Sequence, residues 1–221
     1  IASAWALPMD IFKGPWAASW RNLFAYASIM MVGFIMAAVA NRFQFTAVSG
    51  ESRAFWIARS SPLEARAFLW AKIWPSLLPM IIVGQILAIS CTMILGAGSF
   101  LVVVASVTAL GLAFGISGIA VGMGAIFPDF KADNVARVAA GPPAVMFMVV
   151  ALVLTLAVVV LNVMPVWWVL AARFDGRSLL WTEWAGIILP FSGSAILCVV
   201  ATLLPIRIGA RHLWNRELPY S

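Results

Sequence analysis

Long stretches without a single charged side chain divide this sequence. Four of them stand out, at 22–41, 73–128, 138–172 and 184–206. A helix needs about 20 apolar residues to cross the hydrocarbon layer of a bilayer. The stretch 73–128 is therefore long enough for two crossings, and the small residues at 96–99 are the natural corner of a membrane hairpin.

These stretches predict five membrane-spanning helices, because backbone polar groups in lipid must be satisfied within the segment that carries them. A β-barrel would instead show strands of about ten residues with alternating polarity, and the sequence has no such pattern. The predicted fold class is therefore an all-α, polytopic transmembrane helix bundle. Its five spans are expected near 23–40, 73–95, 100–127, 143–164 and 185–206.

Composition agrees with a chain that is mostly embedded in lipid. It is 64% hydrophobic and 10% charged, whereas soluble domains are about 45–50% apolar and about 25% charged. We expect a membrane domain at 22–206 that contains a cytoplasmic loop at 42–72. An extracytoplasmic segment at 1–21 precedes this domain, and a cytoplasmic tail at 207–221 follows it.

The basic residues predict the orientation. Ten of the 14 Lys and Arg residues fall in 42–72, 128–142 and 207–221, and membrane proteins keep such residues on the cytoplasmic side. We therefore expect a multi-pass membrane protein with its C-terminus and the loop 42–72 in the cytoplasm. Because the cations lie at the ends of apolar runs and not on one segment, the net charge of +6 does not indicate nucleic-acid binding.

The predicted spans contain no Asp, Glu, Lys, Arg or His. Proton- and ion-coupled pumps usually need ionisable groups at membrane depth, so energy for transport would have to come from outside these helices. A sodium site built from backbone carbonyls would escape this argument and leaves an ion-coupled protein as an alternative.

Glycines recur along the third predicted span, at Gly111, Gly115, Gly118 and Gly122. Small residues at a spacing of four let two membrane helices approach closely. The pattern predicts helix packing, either within the bundle or at a subunit interface.

The loop 42–72 is too organised to be a bare connector. In Ser61-Pro62-Leu63-Glu64, the serine could cap a helix, the proline suits the first helical position, and the glutamate stands at the capping-box position. This pattern predicts an interfacial helix that continues into the second span.

The same loop resembles the first cytoplasmic loop of type-2 permeases of ATP-binding cassette (ABC) exporters. The resemblance rests on Glu51, on Ser60-Ser61-Pro62-Leu63 and on Phe68-Leu69-Trp70-Ala71-Lys72. The later run from Gly124 to Asn134 is similar to the second cytoplasmic loop of a prokaryotic branch of these exporters, and the likeness covers about 22–206. This resemblance implies a prokaryotic plasma (inner) membrane as the location.

In that family a permease half has six spans, so the resemblance implies that this chain is a fragment that lacks the first one. It also implies a loop helix that docks on a separate ABC ATPase subunit, and a second permease half as homodimer, heterodimer or fused partner. A re-entrant element would correspond to 165–183. The residues implied to couple to the ATPase are Glu51, Arg53, Arg59, Pro62, Glu64, Arg66, Asp129, Asp133 and Asn134.

The expected function is thus that of a membrane-spanning exporter subunit, with an unknown substrate. No Gly-x-x-x-x-Gly-Lys-Ser/Thr sequence occurs, so we expect the chain not to be an enzyme, to bind no cofactor or metal, and to use ATP held by its partner. Lys72 is expected to reach the headgroup region. One alternative is a lipid-modifying enzyme that uses Asp129 and Asp133, and another is a structural membrane protein.

Overall fold

The architecture is that of a helical bundle. A computed structural model describes residues 17–51, 64–96, 98–129, 135–174 and 181–214. Within these residues there are helices and turns and no β-strand. The prediction of an all-α fold is confirmed.

Five long helices form the bundle. Each is long and apolar enough to cross a membrane, which makes the chain compatible with a multi-pass membrane protein and confirms the predicted number of spans. The helices are α1 (Ala17–Phe43), α2 (Ala65–Ile94), α3 (Ser99–Ile126), α5 (Pro142–Phe174) and α6 (Trp181–Trp214).

Short elements connect the long helices at one end of the bundle. Two 3-10 turns, Phe45–Ala47 and Ser49–Glu51, follow α1, and the short helix α4 (Val135–Ala139) precedes α5. At the opposite end, α2 and α3 are joined through Gly96, whose φ of 64° is a conformation that glycine adopts without a steric penalty.

Helix α3 is the centre of the bundle and packs against α1, α2, α5 and α6. From Gly115 to Ala125 every residue of α3 is buried. Most of these residues are small, which lets four neighbours approach one helix at close range. The outer helices turn large apolar side chains outward instead, such as Leu189 on α6, which is 74% exposed. Such a surface suits lipid and not water.

The helices extend beyond the predicted spans. Helix α1 begins at Ala17, inside the segment 1–21, and α6 continues to Trp214, inside the expected tail. Helix α5 runs through Pro165 to Phe174, so 165–174, the first part of the segment expected as a re-entrant element, continues this helix, and 175–180 lies outside the described residues. Charged residues and prolines mark the ends of an apolar run in the sequence. A helix ends only where its backbone hydrogen bonds are lost, so it can continue beyond such a run.

Candidate functional site at the basic end of the bundle

One end of the bundle carries most of the charged side chains that the structure describes. We call it the basic end and define it by the described residues of 41–51, 64–72, 126–142 and 207–214. Its exposed cations belong to four different helices and are Arg42, Arg66, Arg137, Arg207 and Arg211. Because α1, α3 and α6 end here while α2 and α5 begin here, sequence-distant charges share one face.

The chain that leaves α1 folds back against this end. Phe45, in the first 3-10 turn, is 1% exposed and stacks on Phe147 of α5, with ring centroids 5.7 Å apart. Its carbonyl lies against α3 at Gly124, where an added Cβ atom would be only 2.2 Å from the oxygen. Gly124 is therefore required for the close approach of the turn to the central helix.

Two amides fix the same segment to neighbouring helices. Asn41 Nδ2 donates to the carbonyl oxygen of Ala139 at 3.0 Å, and Gln44 Nε2 donates to that of Ser76 at 3.2 Å. These bonds tie the end of α1 to α4 and to α2. Hydrogen bonds between helices in a membrane contribute modestly, about 0.6 kcal/mol each.

An ion pair closes the arrangement. Lys72 of α2 is bonded to Glu51 at the end of the second 3-10 turn. The ammonium of Lys72 also lies 5.7 Å from the centre of the Phe68 ring. Nearby, Ser49 Oγ accepts a hydrogen bond from the backbone N–H of Asp129 at 3.1 Å. We call the contacts of Asn41, Gln44, Ser49 and Glu51 with their partners the junction.

The coupling residues predicted from the sequence differ in how exposed they are in the structure. Glu51 is half-buried in the junction, whereas Glu64, Arg66 and Asp129 are exposed at the basic end. Lys72, expected at the headgroups, is instead the ionic partner of Glu51. The predicted residues that lie outside the described part of the chain are Arg53, Arg59, Pro62, Asp133 and Asn134.

The start of α2 differs from the expected capping pattern. The helix begins at Ala65, and Glu64 is its extended N-cap residue without a side-chain capping bond. Glu64 therefore precedes the helix and does not occupy the third helical position that a capping box needs. Ser61, the expected cap, lies outside the described residues.

The sequence predicted no role for Asn41, Gln44, Phe45 or Ser49. A signal was present, because two amides and a serine follow an apolar span without a run of charges. Their partners, however, lie on α2, α4 and α5 and at Asp129 just after α3, far away along the chain. Local pattern cannot identify such pairs.

The glycine stripe of α3 lies against α6 within the same chain. An added Cβ atom would lie 2.4 Å from Thr202 Cα at Gly118 and 2.5 Å from the Pro205 carbonyl carbon at Gly122. At Gly111 the nearest atom is Cys198 Sγ at 3.4 Å, and at Gly115 it is Leu154 Cδ2 at 2.9 Å. The sequence left open whether these glycines pack within the bundle or at a subunit interface. These contacts are packing within the bundle.

Within the described ranges, no group of three His, Cys, Asp or Glu side chains could hold a metal ion. The basic end is a charged surface that the junction braces.

A family comparison now adds to this geometry. The sequence model of the family described as "Putative ATP-binding cassette" matches residues 9–218. The chain belongs to this family. No curated protein and no solved structure matches it significantly.

Membership in this family corrects the identification made from the loops. The family is described as an ATP-binding cassette and not as a permease, so the assignment to the permease subunit of a type-2 exporter is wrong. The function inferred from it, export driven through a coupling helix by a separate ATPase, is wrong for the same reason. The loop motifs are short, and basic residues beside Trp, Phe and Leu are typical of amphipathic interfacial helices in general.

The expectation that the chain is not an enzyme is also wrong, because the family's description attributes ATP binding to its members. That expectation rested on one phosphate-binding sequence pattern. Two broader statements about the chain are supported. The chain takes part in an ATP-binding cassette system, and its apolar helices are suited to a membrane.

Proposed function

We propose that this chain is a membrane-embedded component of an ATP-binding cassette transport system and that its basic end contacts the ATP-hydrolysing part of that system. Family membership supports the first part. The observation that carries the second is the exposed set of charges at that end, braced by the junction.

The charges suit an interface with a soluble partner. Glu64 and Arg66 are both exposed at the start of α2, and Arg137 is exposed on α4. Paired charges of both signs provide specificity and orientation in protein–protein contacts. Glu51 is held by Lys72, so we assign it a role in positioning the surface and not in direct contact.

The junction and Phe45 together hold this surface in place. The junction ties the segment after α1 to α2 and α4, and Phe45 packs the same segment against α3 and α5. The exposed charges are therefore carried by a braced end of the bundle.

The orientation is part of the proposal. The basic end faces the cytoplasm of a prokaryotic cell, because most Lys and Arg residues belong to segments at that end. ATP is available on that side of the membrane. We also propose that a second membrane-embedded copy or related chain completes the assembly.

Co-purification of ATPase activity tests the proposal. The tagged chain, extracted from its native membrane in mild detergent, is expected to carry an ATPase with it. The double charge reversal Glu64→Lys with Arg66→Glu should reduce the recovered ATPase activity roughly tenfold, since loss of interface charge pairs costs on the order of 1–2 kcal/mol.

The matched control is Ser99→Glu, which adds a charge at an exposed position on the opposite end of the bundle. It should leave recovery unchanged. Recovery of a folded chain without any ATPase activity would overturn the proposal. Recovery that Ser99→Glu reduces as much as the charge reversal would overturn the assignment of the basic end.

A further inference from the structure

A cavity of about 590 Å³ lies between α3, α5 and α6, with one side chain of α2, that of Trp70, at its wall. It is separate from the junction and shares no residue with it. Cavities of roughly 300–1,000 Å³ hold small organic ligands. Its size alone therefore permits a bound molecule.

The walls of this cavity are apolar and uncharged. Val107 and Phe114 of α3, Val158 of α5 and Phe191 of α6 contribute much of the surface, and none of the lining residues is ionisable apart from Cys198. A charged group placed there would lose its hydration without gaining an ionic partner. The cavity is suited to a neutral molecule.

Two hydroxyl groups around the cavity are already satisfied by their own helix. Ser194 Oγ donates to the carbonyl oxygen of Phe191 at 2.9 Å, and Thr202 Oγ1 donates to that of Cys198 at 2.8 Å. These hydroxyls need no ligand to complete their hydrogen bonding.

Asn162 is different. Its side chain is 1% exposed and lines the cavity, and its Oδ1 atom has no hydrogen-bond partner among the described residues. An amide oxygen buried without a partner is costly, and in lipid no water is at hand to compensate. The missing partner must be a hydrogen-bond donor.

We infer that the cavity binds a neutral amphiphilic molecule whose hydroxyl or amide N–H group donates a hydrogen bond to Asn162 Oδ1. The apolar body of the ligand packs between α3 and α6. This inference rests on the cavity alone and does not depend on the proposed function.

The ligand reaches the cavity from the bilayer. Val199 and Leu203 line it on α6 and are 54% and 37% exposed on the apolar outer surface of the bundle. An amphiphile dissolved in lipid can therefore enter sideways, without crossing the charged end of the bundle.

Photoaffinity labelling with a matched pair of probes tests the inference. One probe is a dodecanol that carries a diazirine on its chain, and the other is the methyl ether of the same molecule. Both are apolar, but only the alcohol can donate a hydrogen bond. In the full chain reconstituted in lipid, the alcohol should label peptides of α3 and α6 roughly fivefold more than the ether, the factor that one net hydrogen bond supplies.

The variant Asn162→Leu keeps the shape of the side chain and removes the acceptor. The substitution removes a buried oxygen atom that has no partner among the described residues and whose burial is costly, so the variant should fold. Labelling by the alcohol should fall roughly fivefold, to the level of the ether. Equal labelling by the two probes in the unchanged chain, or unchanged alcohol labelling in the variant, would overturn the inference.

A second variant tests the cavity itself. Ala195→Phe places a ring in the cavity and should reduce labelling by both probes, whereas Ala185→Phe, on an exposed part of α6 outside the cavity, should not. A third variant, Val199→Cys, tests whether a second copy of the chain covers the cavity. If this cysteine forms a disulfide with the same position of a second copy, and neither probe labels the unchanged chain, the cavity is part of a subunit interface and the inference is wrong.

Discussion

Gly118 of α3 faces Thr202 of α6 so closely that a Cβ atom added to the glycine would lie 2.4 Å from the Cα atom of the threonine. The two helices are therefore in contact backbone to backbone. The contact continues at Gly122, which lies against Pro205. From the side of α6, a Cβ atom added to Gly209 would lie 2.6 Å from the carbonyl oxygen of Gly122. Such proximity is available only where both helices present small surfaces.

The first prediction follows from this contact. Gly118→Ala forces α3 and α6 apart, because the added methyl group meets backbone that cannot rotate away. We expect a loss of about 1–3 kcal/mol, typical of overpacking, measured as a lower unfolding temperature in detergent.

Gly193→Ala is the control for that experiment. Gly193 lies inside α6, and no heavy atom lies within 4 Å of its added Cβ atom. Alanine stabilises a helix interior by about 0.5–1 kcal/mol relative to glycine, so this variant should be neutral or more stable. Equal destabilisation by both substitutions would contradict the packing role of Gly118.

The second prediction concerns the polar pair between α2 and α3. Gln85 Nε2 donates to the Ser106 carbonyl oxygen at 2.9 Å, and Ser106 Oγ donates to Gln85 Oε1. A double-mutant cycle of Gln85→Leu and Ser106→Ala should give a coupling energy of about 0.6 kcal/mol and at most about 1.7 kcal/mol, the range for polar contacts between membrane helices.

A matched cycle pairs Gln85→Leu with Ser192→Ala. The Ser192 hydroxyl donates to the Leu189 carbonyl oxygen of its own helix and is exposed. No coupling is expected there. Coupling energies that are the same in the two cycles would show that the Gln85–Ser106 contact has no specific effect.

The third prediction tests the ion pair of the junction. Glu51→Lys and Lys72→Glu each place like charges together and should destabilise the chain by roughly 1 kcal/mol or less, since both side chains are partly exposed. The double reversal should recover most of that loss. Thermal unfolding at low and high salt measures it, and the differences should shrink as salt screens the charges.

Arg207→Glu is a suitable reference for the ion-pair experiment. Arg207 is exposed on α6 at the same end of the bundle. Combining it with Lys72→Glu should give no recovery. If the double reversal of Glu51 and Lys72 is no more stable than either single reversal, the two residues do not interact in the membrane.

The fourth prediction concerns orientation. Gly50 at the basic end and Gly98 at the opposite end are both exposed, and neither has a heavy atom within 4 Å of an added Cβ atom. Cysteine should be tolerated at each. In intact cells a membrane-impermeant maleimide should label Gly98→Cys and leave Gly50→Cys unlabelled until the cells are opened.

The unchanged chain gives the background of that assay, because its own Cys91 and Cys198 lie inside the spans. Labelling of Gly50→Cys but not Gly98→Cys in intact cells would reverse the proposed orientation and would separate the basic end from cytoplasmic ATP.

The sequence by itself determined the number of spans and their approximate positions. Charge-free runs such as 73–128 can be accommodated only as helices in lipid, and their lengths fix how often the chain crosses. Exact ends were less certain, as α1 and α6 show, because a helix continues past an apolar run wherever its backbone bonds remain satisfied.

Only the tertiary structure decided which residues act together. The glycine spacing predicted a close contact but could not name α6 as the neighbour, and neither charge pattern nor spacing paired Glu51 with Lys72. The sequence also could not predict that the side-chain oxygen of Asn162 has no hydrogen-bond partner among the described residues, because this depends on every helix around the side chain. Local pattern specifies crossings, whereas the contacts between crossings arise from packing in three dimensions.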